Sequence, residues 1–330
     1  MGTVKLYLSK VAVALSILLV QINSYAATTV PLNLKGFAEP AGAISILETG
    51  NIVDPYFTLQ ALLLAGENGL DISPYAEKWA DWLIARQRPD GSFDRFCRTG
   101  PIWLGCKSAD ADDALIAIWL KYLDTMPRQL KEKAGWRKSY DEAAKTLTHL
   151  HDPKRGVYLV SPIFQHGLFM DNLEIWSYKA SRSGYMQSLE AREFARAIRT
   201  TFWDPKSSRF LVSTQPEQKD LGRTFYPEHV AQIFPLLFDF PLLPNESRSY
   251  YQQWMKLHRA TWLQQVKTDY AWGLLAFLAL KQNDRASAQC WLRESLPYQQ
   301  TGHWTVTDEV VSQILARNGV VAAATTAKCN

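Results

Sequence analysis

The sequence predicts an all-α fold, an (α/α)6 toroid in which inner and outer helices alternate around a ring. Three observations carry this expectation. An acidic residue stands at or near the start of an apolar helical stretch six times along the chain. These stretches are apolar nearly all round, the pattern of buried helices. Between them lie more polar segments with a single apolar face, the pattern of helices half in water.

Taken in order, the inner stretches begin at Asp54, Asp110 to Asp113, Asp171, Glu228, Asp269 and Asp308. The outer helices are read at 73–87, 136–150, 184–201, 246–260 and 284–296. Ser73-Pro74 reads as an N-cap and N1 pair. Asp141, Glu142 and Lys145 decorate one outer helix, and Glu190, Arg192, Glu193 and Arg196 decorate the next. Only twelve residues follow the sixth inner helix at 307–318. A sixth outer helix is therefore short or absent, and the segment 27–50 is the candidate to close the ring.

The connections are asymmetric. Inner-to-outer links are short: Glu67–Ile72, Met126–Gly135 and Ser181–Ser183. Outer-to-inner links are long and rich in turn residues: Arg88–Ala109, Asp152–Met170 and Phe202–Phe225. Long loops commonly carry function. All of these enter inner-helix N-termini, so one rim should gather loops, acids and aromatics into a cleft.

Residues 1–26 read as a signal peptide: Lys5 and Lys10, the apolar run Val11–Val20, then Ser24-Tyr25-Ala26 before the cleavage point. The expected mature protein is one domain, 27–330, periplasmic or secreted. The formal charge is +4, and removing 1–26, which hold two lysines and no acid, leaves +2. No basic stripe remains, so no nucleic-acid partner is expected; a monomer is. All four cysteines lie in the exported part, where disulfides form. Of the three possible pairings, Cys97–Cys106 and Cys290–Cys329 are favoured. No metal site or cofactor is implied: zinc spacing, EF-hand spacing and nucleotide-binding glycine motifs are missing from the sequence.

An Asp at a helix start can be only a cap. Asp54-Pro55 fits an N-cap with Pro at N1, and Asp171 with Glu174 fits a capping box. Asp110, Asp112 and Asp113, however, place three acids within four residues, more than one helix start uses. Mutual repulsion should raise a pKa there, which suits acid–base work. Glycoside hydrolysis needs two carboxyls flanking the bond. Aromatics at the same rim could stack on sugars: Tyr56, Trp103, Trp176, Tyr226, Tyr270, Trp272 and Trp304.

Four stretches, in order, resemble the family-8 glycoside hydrolases. They are Ile46-Leu-Glu48-Thr-Gly-Asn, Lys107-Ser-Ala-Asp110-Ala-Asp112-Asp-Ala-Leu, Arg223-Thr-Phe-Tyr226-Pro and Thr268-Asp269-Tyr-Ala-Trp272. The resemblance spans roughly residues 40–285. It implies an endo-acting (α/α)6 enzyme, like the periplasmic cellulases of cellulose-secretion operons. It further implies Glu48 as general acid, Asp269 as inverting base, Asp110 as the residue that binds and distorts the sugar, and Tyr226 in the cleft wall. Where the family has Tyr before the base and Arg three residues after it, this chain has Thr268 and Trp272.

The expected function is thus an exported, inverting glycoside hydrolase acting on a poly- or oligosaccharide. Glu48, Asp110 and Asp269 are its catalytic residues. Asp54, Asp112, Asp171, Trp103, Trp176, Tyr226 and Trp272 bind substrate. Two alternatives stand beside it. One is a non-catalytic glycan-binding or scaffold protein of an exopolysaccharide secretion complex, which the departures around Asp269 favour. The other is a polysaccharide lyase using His166 with Tyr178 or Tyr226.

Overall fold

The structure, a computed structural model, describes residues 30–109, 111–219 and 223–329. The signal-peptide reading and Asp110 fall outside the described residues.

Among the described residues, twelve α-helices and nine short strands follow one another. Strand β1 (Val30–Pro31) and β2 (Ile52–Val53) precede α1 (Pro55–Glu67). Then come β3 (Leu70–Asp71), α2 (Ser73–Ile84) and the hairpin of β4 (Asp94–Thr99) and β5 (Ile102–Ser108). Helix α3 (Asp112–Thr125), the single turn α4 (Arg128–Lys131) and α5 (Ala134–His149) follow. Hairpin β6 (His151–Asp152) and β7 (Val157–Tyr158) leads to α6 (Phe169–Ala180) and α7 (Leu189–Phe202). Hairpin β8 (Trp203–Asp204) and β9 (Arg209–Phe210) leads to α8 (Val230–Ile233) and α9 (Ser247–Gln264). The chain ends with α10 (Gly273–Lys281), α11 (Arg285–Ser295) and α12 (Val306–Arg317).

The all-α toroid is the observed fold. Helix α1 packs between α3 and α12, α3 packs on α6, and α10 packs on α12. The turn Phe234–Leu236 after α8 packs on α6 and completes the inner ring. Outside it, α5 covers α3 and touches α2, α7 covers α6, α9 covers α8, and α11 covers α10. The apolar inner stretches are buried as their composition demands: Asp113 through Leu120 is a continuous run of buried residues.

Caps fix where several helices begin. The Asp54 carboxylate accepts from Tyr56 N at 3.0 Å and Pro55 supplies the helical φ. Ser188, Asp284 and Thr305 cap α7, α11 and α12 in the same way. Three starts differ from the expectation. The N-cap of α2 is Ile72, because Asp71 takes the Ser73 N–H and Ser73 enters the helix. Asp171 lies inside α6, whose N-cap is Leu168, so Asp171 and Glu174 form no capping box. Helix α10 starts at Gly273, because Asp269 N bonds Gln265 O and Ala271 N bonds His303 O, holding residues 269–272 outside the helix.

No outer helix follows α12 among the described residues. Residues 30–50 take its place. Asn33 exchanges two hydrogen bonds with Gln313 of α12, Leu34 N bonds the Tyr75 hydroxyl of α2, and Leu47 bridges Thr305. The long links fold as hairpins closed by the same device. Asp152 and Asp204 each accept from the backbone two residues on, at Lys154 and Lys206.

Both favoured disulfides are present, Cys97–Cys106 and Cys290–Cys329. No helix among the described residues is long and apolar enough to cross a membrane. Disulfides and this lack of a span are compatible with an exported protein.

The Cys290–Cys329 bridge anchors the last residues beside α11, with Arg259 donating to Cys329 O and Arg293 to Ala324 O and Ala327 O. It closes a loop of 39 residues, against 9 for Cys97–Cys106, whose hairpin is already held by its ladder. Cys329→Ser should therefore lower stability by about 3 kcal/mol, more than Cys106→Ser. Chemical denaturation of the two variants side by side checks the order.

Candidate functional site

The inner helices begin close together. A helix start leaves backbone N–H groups without partners. Acidic side chains satisfy several of them, and they become neighbours.

On one side, Asp54 at the head of α1 is 3% exposed and receives the Arg95 guanidinium of β4 at 2.5 Å. Arg95 thus carries the hairpin's charge into the rim. Tyr270 stands half-buried beside this pair, within electrostatic reach of Asp269, Arg95, Asp54 and Asp308. Asp308 is not exposed to substrate. It accepts from Gly273 N at 2.7 Å, Thr305 N at 2.9 Å and the Thr305 hydroxyl at 2.7 Å, locking α10 to α12. Burial pushes its carboxyl up to about 6 against those three bonds.

Deeper in, Asp113 of α3 meets Asp171 of α6. Asp113 accepts from Ala114 N at 2.9 Å, and burial, then the charge of Asp171, holds its carboxyl well above the usual range. Each charge disfavours the other, so proximity adds to burial in raising the Asp113 carboxyl. One turn on, Glu174 is 2% exposed and accepts the Tyr56 hydroxyl at 2.5 Å, while Gln60 donates to the same hydroxyl at 3.1 Å. Burial and then Asp171 raise Glu174, while the Tyr56 bond and the charge of Lys121 oppose them. Burial, followed by Glu174, raises Tyr56 in turn.

Above these groups lies an aromatic platform. Tyr226 is 53% exposed, and its ring centroid is 4.9 Å from that of Trp272. Trp272 adopts a left-handed φ of 56°, rare for a bulky side chain. In that conformation its indole N–H reaches the Asp269 carboxylate at 3.2 Å, and its carbonyl accepts from Trp262 at 3.2 Å. His303 bonds the Asp269 carbonyl at 2.7 Å. The platform and Asp269 are therefore one rigid unit.

The structure thus brings Asp54, Asp171, Tyr226, Asp269 and Trp272 to the rim or just beneath it. The other sequence-derived residues sit elsewhere. Glu48 stands in the turn before β2 with its side chain over Gly36, where a Cβ would fall 2.5 Å from its Cγ. Its backbone is at the rim, next to the Leu47–Thr305 bridge, but none of its contacts joins it to the carboxyl cluster. Asp112 faces Asp90, Arg88 and Asp94, the flank of the β4–β5 hairpin, and burial followed by Asp90 lifts it to about 6.

Two tryptophans do not reach the cleft. Trp176 is 1% exposed and packed against Tyr185, Phe194 and Phe240, because it points outward from α6 toward α7. Trp103 faces the outer helix α2, where it meets Trp82 and donates to Glu39 at 3.1 Å. Trp304 likewise stacks on Trp291 in the core. Tyr178 is 5% exposed and bonded to Tyr140, so it forms no pair with His166.

Sequence reasoning missed Arg95 and reduced Glu174 to a cap. Arg95 had no signal, being one of several cations in a loop. Glu174 had one: a Glu three residues after Asp171 and four before Tyr178 lies on the helix face that holds the apolar ring residues Leu173 and Ile175 at its edges. No cluster of three or more metal-ligating side chains exists among the described residues.

No protein-family model matches the chain, and no curated protein matches it. Among solved structures it is similar to a reducing end xylose-releasing exo-oligoxylanase, at 12% identity, over 86% of both chains, with a TM-score of 0.53. At that identity the likeness is one of fold, and it agrees with the toroid built above.

Proposed function

We propose that this protein hydrolyses glycosidic bonds of an exported poly- or oligosaccharide in the rim cleft, by an inverting two-carboxylate mechanism. One observation carries the reading: the exposed Tyr226–Trp272 platform is bonded directly to the Asp269 carboxylate. Sugars present apolar faces to aromatic rings and need a carboxylate beneath the anomeric carbon. Both are supplied by one rigid unit. The neighbouring solved structure, named as an exo-oligoxylanase, is consistent with that class of substrate.

In this mechanism Asp269 acts as base and activates water. Glu48 is the proposed acid; its side chain packs over Gly36, so protonating the leaving oxygen requires it to swing from Gly36 toward Asp269 when substrate binds. Inversion requires the two carboxyls to sit roughly 6.5–9.5 Å apart across the bond. Asp54, ion-paired with Arg95 at the head of α1, is placed to stabilise positive charge in the oxocarbenium-like state. Asp110, at the head of the acidic run, is the proposed sugar-binding residue of the same cleft. Asp171 borders it.

A second reading is glycan binding without turnover, within an exopolysaccharide secretion complex. It is favoured by the bond from Trp272 to Asp269, which occupies an oxygen that a base needs.

Incubation with a panel of β-linked polysaccharides separates the two. Hydrolysis predicts reducing ends from wild type, and a loss of about 10²–10⁴-fold in Asp269→Asn and Glu48→Gln. Equal release by all three proteins would sink the catalytic assignment, and binding without release would leave the second reading. Tyr226→Ala should weaken glycan binding by roughly fivefold, about 1 kcal/mol, while leaving Tm unchanged, because the ring is exposed. Calorimetric titration with the best glycan checks it.

The buried carboxyls make stability fall with rising pH. The folded pKa of Asp113 lies above its unfolded value. Its contribution is therefore complete below the unfolded pKa and is lost as pH rises through the folded one. Asp113→Asn removes that loss. It should raise Tm at pH 8 by a few degrees, on the order of 2–4 °C per kcal/mol, and change it little at pH 4. Thermal melts at both pH values decide it.

A further inference from the structure

A groove of about 700 Å³ lies outside the ring, between outer helix α2 and the β4–β5 hairpin. It belongs to neither the rim nor the core. Its floor is built from Trp82 and Trp103, each less than a tenth exposed, with rings crossing at 86°. One wall is the strand β5, which presents Ile102 and Leu104 at 53% and 51% exposure. The two side chains lie side by side on an edge strand, where exposed apolar groups are open to a partner.

The charges of the groove are unequal in a way their number hides. Its two carboxylates are already engaged. Glu39 binds Arg98 and the Trp103 indole N–H. Asp81 accepts the Trp136 indole N–H at 2.6 Å and faces Lys133 at 3.6 Å. Its cations are not so engaged. Arg86 lies over the Trp82 ring at 4.1 Å and donates only to the Trp82 carbonyl, and Lys78 has no carboxylate partner among the described residues. A guanidinium over an indole that donates to one carbonyl keeps further N–H donors for a carboxylate.

We propose that this groove is a second carbohydrate site that grips an acidic glycan, a polymer bearing carboxylates, outside the cleft. Arg86 and Lys78 take the carboxylates, while the indole edges and the aliphatic wall take the apolar faces of the sugars. The hairpin joins the two places. Arg95, which clamps Asp54 at the rim, is three residues from Arg98, and Arg98 pairs with Trp103. At ~3.3 Å per residue that places the two sites roughly 10 Å apart along one hairpin. The choice of glycan rests on the reading of the rim as a glycan cleft; the groove's preference for an anion does not.

Affinity electrophoresis and calorimetric titration test it with three probes: polygalacturonate, neutral xylan and polyglutamate. Polygalacturonate should bind, at least tenfold more tightly than xylan, and binding should weaken with added salt. The double variant Arg86→Gln/Lys78→Gln should lose roughly tenfold or more. Lys78→Glu, an exposed change that spares the core, should also weaken binding, and Asp269→Asn should leave it intact. Circular dichroism confirms the fold of each variant. Equal binding of xylan and polygalacturonate, no binding of polygalacturonate, or wild-type affinity in Lys78→Glu and the double variant overturns the site. Loss in Asp269→Asn would move the binding to the rim, and equally tight polyglutamate would make the partner an acidic polypeptide. None of these readouts needs turnover, so failure of the hydrolase reading is seen separately.

Discussion

The inner helices begin close together, and the acids at their starts come within reach of one another. Each start has backbone N–H groups that must find acceptors, and each carries a dipole that favours negative charge. Carboxylates answer both demands, and so acids collect at the ring's centre. Asp54 caps α1 and Asp308 ties α12 to α10. The remaining acids then stand close together. Burial and the neighbouring acid Asp171 raise the carboxyls of both Asp113 and Glu174 above the usual range. The polar interior of the ring is therefore a consequence of how its helices begin.

The same constraint shapes the surface of the cleft. The cation that pairs with Asp54 comes from Arg95 on a strand, not from the helices. The hairpin that delivers it is braced by the Cys97–Cys106 bridge and by its ladder. Trp272 pays in backbone strain for a position that joins Tyr226 to Asp269. Strain kept at a rim, between an exposed ring and a carboxylate, is more readily understood as a binding feature than as a packing one.

Much of the fold could be read from residue order. The apolar runs after Asp54, Asp112 and Asp308 are inner helices, and the amphipathic runs at 136–150 and 246–260 are outer ones within a few residues. The role of residues 27–50 in closing the ring was also legible: residues 30–50 pack against α12 and α2. The site was legible only in part. Asp269 reads as a helix-start acid, yet α10 begins four residues later, because backbone bonds to Gln265 and His303 hold it apart. Trp103 and Trp176 read as rim aromatics because aromatic residues look alike in a sequence, whichever way the backbone turns them.

Periodicity, cap chemistry and cysteine spacing act over a few residues, so the sequence by itself determined the helix types, most of their limits and the shape of the ring. Which carboxyl meets which was decided by tertiary structure alone. Asp54 and Arg95, Tyr56 and Glu174, Asp113 and Asp171, and Tyr226 and Trp272 are each tens of residues apart. An Asp at a helix start looks the same whether it is a cap, half of a close carboxyl pair or a base beneath a sugar. Only its neighbours across the ring, through burial and charge, make it one or another.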